Sequence, residues 1–431
     1  MKKSILLIAL MLGHGTLNLF SQKIITLREC YDMAMKTNAL AGEKEAYSSI
    51  SQIRDENLTK GWLPTLDVNA SASYMSDVVD FSKAMSSFPG DVSSFLTPMP
   101  HDQYKVTLDI SQVIYDGGAT KSGRVMEKAQ LGINEKQTET DLYKLRSQIN
   151  SCYFNIMLLR KQKDLLNDYL NLIGKRISSM QSGVDNGVIL RSDIDVLTSE
   201  KLKLEQQIAE NDLHRESLMK ILSDLTGTTM DSGTGFILPE LSAKMTDELS
   251  RPELQLYDLR KEQLNVELRI TQSKRMPKAF GFATLGYGKP PGNDFFTDKF
   301  DTYYYVGGGI KWNIFDWNKV KNEKKVIAFQ QGIIDNRKKD LEDNLIRQLE
   351  SKKAEISSLD KMIRTDSEII ALRKKITATA ESQYENGTIT ATEYLNEMND
   401  EHQAEINYEI HKISLIMAKI EYMNISGNEI E

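Results

Sequence analysis

Residues 104–227 recur as residues 304–427, displaced by 200 positions with no gap, and this internal repeat constrains the fold more than any other feature of the chain. Ile114-Tyr115-Asp116 returns as Ile314-Phe315-Asp316, Asn186-Gly187 as Asn386-Gly387, and Thr226-Gly227 as Ser426-Gly427. Upstream, Leu63-Pro64 and Tyr74 match Met276-Pro277 and Tyr287 at an offset of 213, so the halves differ by one insertion of 13 residues before Tyr104. A duplication whose only length change falls in one loop builds the same supersecondary unit twice. The repeat spans nearly all of the 431 residues and argues for one interlocked architecture rather than a string of unrelated domains.

Two hydrophobic periods alternate within each half. From Gly118 to about Ser182 there is no proline, and Leu142, Leu145, Ile149, Cys152, Ile156 and Leu159, then Leu166, Leu170, Ile173, Ile177 and Met180, keep a 3,4 spacing that lapses once, at Lys163. That is a heptad seam, and some 65 helical residues at 1.5 Å rise make a rod of roughly 95 Å, far longer than a globular core needs. The pattern breaks at Asn186-Gly187 and resumes through Leu190, Ile194, Leu197, Leu204, Ile208, Leu218, Leu222 and Leu225, which predicts a helical hairpin. Leu345, Leu349, Ile356, Leu359, Ile363 and Ile370 form a weaker version, turned at Asn386-Gly387. Ahead of each hairpin the period is two: Leu66, Val68, Ala70, Ala72 and Tyr74, then Val106, Leu108 and Ile110, alternate with polar residues, and Tyr304, Val306, Ile310, Trp312 and Ile314 do so in the second half. Pro64 and Pro277 mark the switch from helix to strand.

The amino terminus carries Lys2 and Lys3 followed by an apolar run from Ile5 that fades near Phe20, the plan of a secretory signal cleaved around Ser21 or Gln22. Charged residues before Cys30 are wrong for a lipidation box, and Cys30 and Cys152 read as two separate buried thiols inside helical patterns. The mean hydropathy of −0.41 excludes a helical membrane protein. A net charge of −7, or −9 without Lys2 and Lys3, speaks against nucleic acid as a partner. The five histidines share no metal-ligand spacing, Gly307-Gly308-Gly309 lies mid-strand without a following Gly-Lys-Ser/Thr, and the carboxylates are scattered, so neither catalysis, nor metal, nor cofactor is indicated.

Strands with one apolar face, aromatic residues at their ends (Tyr74, Tyr104, Tyr115, Tyr287, Tyr303, Phe315) and a signal segment point to an outer-membrane barrel. Four strands cannot close one, and open edges in lipid would leave backbone groups unpaired at several kcal/mol each. The chain must therefore associate. Two copies would give eight strands with a filled interior; three give twelve and leave a lumen.

The duplicated plan, the two prolines and the tips Gly183-Val-Asp-Asn-Gly-Val-Ile-Leu-Arg-Ser-Asp-Ile-Asp195 and Tyr384-Glu-Asn-Gly-Thr-Ile-Thr-Ala-Thr-Glu-Tyr-Leu-Asn396 together resemble the TolC family of outer-membrane channels. The resemblance implies a mixed α and β fold: a homotrimer whose 12-strand barrel is continuous with a periplasmic helical barrel. It implies an exit duct, not an enzyme, that works with an inner-membrane pump and a periplasmic adaptor to export small molecules. The alternatives are the exit duct of a type I protein-secretion system and, from another class, a periplasmic coiled-coil scaffold without a pore. The domain plan is a signal peptide at 1–22, a first repeat at 23–227 with strands 63–75 and 104–115 and hairpin 118–227, a linker at 228–250, and a second repeat at 251–431 with strands 277–288 and 303–315 and hairpin 318–427. By the same resemblance Asp193 and Tyr384 are expected to hydrogen-bond as a gating latch. A second latch in the family uses an arginine where this chain has Ile389. Glu393 keeps one acidic ring of the constriction, while Asn396 stands where the family has a second. The tips at Asn186, Gly187, Asn386 and Gly387 are expected to receive the adaptor.

Overall fold

A proline four residues after a helix is where each half turns from helix to strand. The computed structural model describes residues 24–80, 99–187, 189–231, 233–240, 246–294 and 297–428. The signal segment 1–22 and most of the loop 75–103 lie outside them. Within them run β1 (Ile24–Ile25), α1 (Leu27–Thr37), α2 (Glu43–Lys60), β2 (Thr65–Tyr74), β3 (Asp102–Tyr115), α3 (Ala119–Tyr143), α4 (Leu145–Asp185), α5 (Arg191–Thr226), β4 (Gly235–Phe236), α6 (Pro252–Ser273), β5 (Lys278–Lys289), β6 (Asp301–Lys311), α7 (Lys319–Glu385) and α8 (Ala391–Ser426). They separate into two compact units, one made of 42–141 and 250–344, the other of 1–41, 142–249 and 345–431.

The first unit holds an antiparallel sheet in the order β2-β3-β5-β6. Pairing Leu66 with Ile110, Leu108 with Leu285 and Ala283 with Val306 puts the apolar side chains on one face. The opposite face carries Asp109, to which Asn69 donates at 2.8 Å and Thr107 at 2.9 Å. Mid-strand Gly307 and Gly309 make room for aromatic rings: a β-carbon would come within 2.5 Å of Phe282 and 2.6 Å of Phe280. β6 stops at Lys311 rather than running to 315, because Lys311 faces Lys278, where β5 begins. The Trp312 indole instead donates to the Arg275 carbonyl at 3.0 Å.

The turn from sheet to long helix is left-handed in both repeats. In the first it uses Gly117 and Gly118, at φ +71° and +85°; in the second the same places hold Trp317 and Asn318, at +54° and +60°. Glycine accepts such angles freely, whereas a side chain there costs about 1–2 kcal/mol. Gly117 is doubly required, since a β-carbon would meet that of Met276 at 2.8 Å.

The second unit is held by heptad seams. Ile149, Cys152, Tyr153, Phe154 and Ile156 of α4 pack with Leu27, Cys30, Tyr31 and Ala34 of α1, Met219 and Leu222 of α5, and Ile413, Ile420 and Met423 of α8. Both cysteines are free and buried, and burial pushes the Cys30 thiol up to about 12, leaving it inert at neutral pH. The seam's lapse at Lys163 is bridged by an ion pair to Asp212 of α5 at 2.6 Å. The rod expected from 118 to 182 is interrupted at Lys144, between α3 and α4, although that residue keeps helical angles (φ −62°, ψ −26°). The linker is more ordered than its composition suggests: β4 pairs in parallel with β1, and the buried Tyr153 hydroxyl donates to the Ile237 carbonyl at 2.7 Å.

Candidate functional site at the hairpin tips

Each long hairpin turns through the same three residues. In the first tip the Asn186 amide side chain donates to the Ser182 carbonyl at 2.7 Å, and in the second Asn386 donates to Ser382 at 2.8 Å. Gly187 and Gly387 both take φ +71°, and a β-carbon on either would touch nothing within 4 Å. Of the Asn-Gly pair only the glycine is left-handed. Asn186 sits at φ −93° and serves as a cap that satisfies a terminal carbonyl.

Above the turns, Leu166, Tyr169, Ile173 and Met180 of α4, Leu197 and Leu204 of α5, Ala380 of α7, and Tyr394, Leu395 and Met398 of α8 form one buried cluster. Tyr384, half-buried on α7, stacks on Tyr394 with centroids 5.6 Å apart and planes 10° apart. Its hydroxyl lies 3.5 Å from the Met180 sulfur rather than forming the hydrogen bond to Asp193 that the resemblance implied. Asp193 is still close enough to act: burial raises the Tyr384 pKa first, and the Asp193 charge adds to it.

The residue that joins the two hairpins here is Arg176. Its guanidinium lies over the Tyr394 ring at 5.1 Å, donates to the Tyr394 hydroxyl at 3.1 Å, and pairs with Glu385 at 3.2 Å and with Glu381. Sequence reasoning missed it because a lone arginine on a heptad helix looks like a solvated charge. The signal was its place one turn before Met180, with two glutamates four residues apart on the facing helix. Behind it, Arg373 ties α7 to Glu397 at 3.0 Å and to Asp400 at 2.8 Å on α8.

Glu393 has an occupation the sequence reading overlooked. Thr390 and Glu393 form a reciprocal capping box at the start of α8: the carboxylate accepts from the Thr390 N–H at 2.8 Å, and the Thr390 hydroxyl accepts from the Glu393 N–H at 3.2 Å. Those bonds hold the carboxyl below its ordinary value of 4.5. Asn396, one turn on, is exposed. Among the described residues no group of three His, Cys, Asp or Glu is placed to hold a metal ion.

A fold of two strand pairs, each feeding a long helical hairpin, is that of outer-membrane channels. It is similar to the CmeC channel of Campylobacter jejuni (TM-score 0.65, 15% identity, 94% of this chain and 86% of that one). It is also similar to VceC of Vibrio cholerae (0.68, 14%, 94% and 97%) and the open-state MtrE channel of Neisseria gonorrhoeae (0.64, 16%, 94% and 89%). No curated protein matches the sequence significantly. Residues 56–228, however, match the family model of outer membrane efflux proteins. The chain thus resembles that family over 173 of its 431 residues and shares the fold of those solved channels over nearly all of its length.

Proposed function

We propose that three copies of this chain close into a twelve-strand barrel in the outer membrane and a helical tunnel in the periplasm. The channel is the passive exit duct for small molecules that an inner-membrane pump delivers through a periplasmic adaptor. One observation carries the reading: each unit ends in unpartnered edges. The sheet's outer strands are β2 and β6. In the helical unit α4 packs between α5 and α8, and α7 packs on α8, so the outer helices are α5 and α7. α7 exposes Met362, Ile369, Leu372 and Ile376 at a 7,3,4 spacing, a second seam left uncovered among the described residues. α5 likewise exposes Leu202, Leu213 and Ile221. Joining β6 to the next copy's β2 and α7 to the next copy's α5 removes both kinds of edge together.

In that assembly the tips govern the periplasmic opening. The latch bond between Asp193 and Tyr384 would form on a movement of the tyrosine hydroxyl away from the Met180 sulfur. Glu393 offers Oε1, the carboxylate oxygen its capping bonds leave free, to a ring of three, with Asn396 beyond it uncharged. Gly187 and Gly387 each present to the adaptor a turn position without a side chain. Native mass measurement in detergent together with planar-bilayer conductance tests the reading. A conducting trimer is expected, and a folded, non-conducting monomer would overturn it.

A further inference from the structure

The chain is acidic, yet the first ten residues of the two helices that leave the sheet, 119–128 and 319–328, carry seven Lys or Arg against two Glu. Cations at a helix start oppose the helix dipole, so the helix itself gives no reason for them. Nor is the helix start an empty anion site: Asp116 already accepts from the N–H groups of Gly118 at 2.8 Å and Thr120 at 2.6 Å, and Asp316 from that of Val320 at 3.1 Å.

The cations instead border cavities that also hold aromatic side chains, and the repeat builds such a cavity twice. Trp62, Tyr115, Lys121, Arg124 and Lys128 line one of about 430 Å³. Arg275, Trp312 and Lys324 line the other, of about 350 Å³, with Arg275 at the place of Trp62 and Lys324 at that of Arg124. Arg124 is committed to Asp55, at 2.7 and 2.8 Å, which leaves Lys121 and Lys128, on the same helix face, to meet a ligand. A bulge between Val113 and Tyr115 sets Tyr115 opposite Ala279, on the face of Leu108, Ile110 and Leu285. The first cavity thus adjoins the apolar, lipid-side face of the sheet.

Trp317 adds an independent sign. It keeps a left-handed backbone where the first repeat uses glycine, and it stands 79% exposed, in edge contact with Phe315 at 4.8 Å. Left so exposed, a strained and bulky aromatic gains little from packing on Phe315 alone. Tryptophan beside lysine at the end of a membrane strand is the pairing that suits a lipid headgroup region, the ring at the interface and the ammonium on phosphate.

We propose that these paired cavities form a collar that binds the phosphate headgroups of anionic phospholipids in the periplasmic leaflet, with Trp317 as its aromatic anchor. The proposal rests on the barrel reading above. Its test is native mass spectrometry of the full-length trimer in neutral detergent offered equimolar phosphatidylglycerol and phosphatidylcholine. The wild type should retain phosphatidylglycerol at least about tenfold better, and the variant carrying Lys121→Gln, Lys128→Gln and Lys324→Gln should lose that preference while still conducting. Trp317→Gly should raise thermal stability in detergent by removing strain, yet weaken lipid retention; unchanged retention would remove Trp317 from the collar. Inorganic phosphate at millimolar concentration should not displace the lipid, and displacement would overturn the lipid assignment in favour of a free anion. A conducting wild-type trimer with no lipid preference overturns the collar alone. If the wild type forms no conducting trimer, the channel reading falls and the collar with it.

Discussion

The two hairpins come from one duplicated sequence but bury their apolar residues differently. Among the large apolar side chains of α4 only Leu172 is exposed, and α8 exposes none, whereas α7 exposes eight, from Val326 to Ile376. The first hairpin's leading helix is the centre of its unit, covered by α1, α5 and α8. The second hairpin's leading helix lies at an edge and carries two seams, one packed on α8 through Leu349, Ile356 and Leu359, the other exposed. Duplication supplied one pattern, and in the proposed trimer position decides whether a seam stabilises the protomer or the oligomer.

The sharpest way to break this comparison is to damage one seam at a time. Leu372→Asp with Ile376→Asp puts six charges per trimer into the interface while touching side chains that are exposed in the protomer. Burying such charges unpaired costs several kcal/mol each, so the trimer should be lost with helix content retained, as read by native mass and circular dichroism. Ile173→Ala, at a fully buried α4 position, should do the reverse, lowering protomer stability by about 2–5 kcal/mol without changing subunit number. If both variants weakened assembly equally, the seams would not be divided in this way.

Arg176 sharpens the comparison where the hairpins meet. It is largely buried, while Glu381 and Glu385 are exposed by about half, so its ion pairs are discounted for solvent. Loss of the pairs, the Tyr394 bond and the ring contact in Arg176→Ala should cost about 1–2 kcal/mol per protomer. With three copies, closed-state conductance in a planar bilayer should rise measurably. Arg176→Lys should restore only part, since an ammonium has neither the fork for two glutamates nor the plane for Tyr394. Unchanged conductance in Arg176→Ala would confine the residue to packing.

Much of this was legible because the heptad and the strand period are long-range signals that a repeat prints twice. The apolar seam from Leu142 to Met180, the hairpin turns and the helix-to-strand prolines fall where spacing places them. Other features depend on which partner a side chain meets. Nothing in the sequence distinguished the α7 seam that faces α8 from the one left exposed, and the hydroxyl of Tyr384 chose a sulfur over a carboxylate because stacking on Tyr394 fixes its ring. β6 ended early for want of a partner strand, which composition does not record. The Thr390-x-x-Glu393 box, by contrast, was readable as a helix start. Glu393 was read as a free charge only because the resemblance drew attention to the pore.

That box gives the smallest test and the closest comparison of the two tips. α8 starts with a full reciprocal cap, whereas α5 starts at Leu190, whose side chain caps nothing although its backbone is extended (φ −75°, ψ 142°) and Asp193 stands three residues on. Thr390→Ala should therefore cost about 1 kcal/mol, while Leu190→Thr should gain up to about 1 kcal/mol by building the missing box. The two effects have opposite signs at equivalent positions. Their pH dependence separates capping from a general change in tip polarity. The folded Glu393 pKa is depressed, so its contribution is complete above the ordinary carboxylate value of 4.5 and is lost as pH falls through the lower folded value. The melting difference between wild type and Thr390→Ala should hold from pH 7 down to about 5 and shrink below that, as the protonated carboxyl ceases to accept from the Thr390 hydroxyl at 3.0 Å, the bond that alanine lacks. A difference that stays constant down to pH 3 would mean that the Thr390 hydroxyl acts only by accepting from the Glu393 N–H, and that its bond to the Glu393 carboxylate contributes nothing.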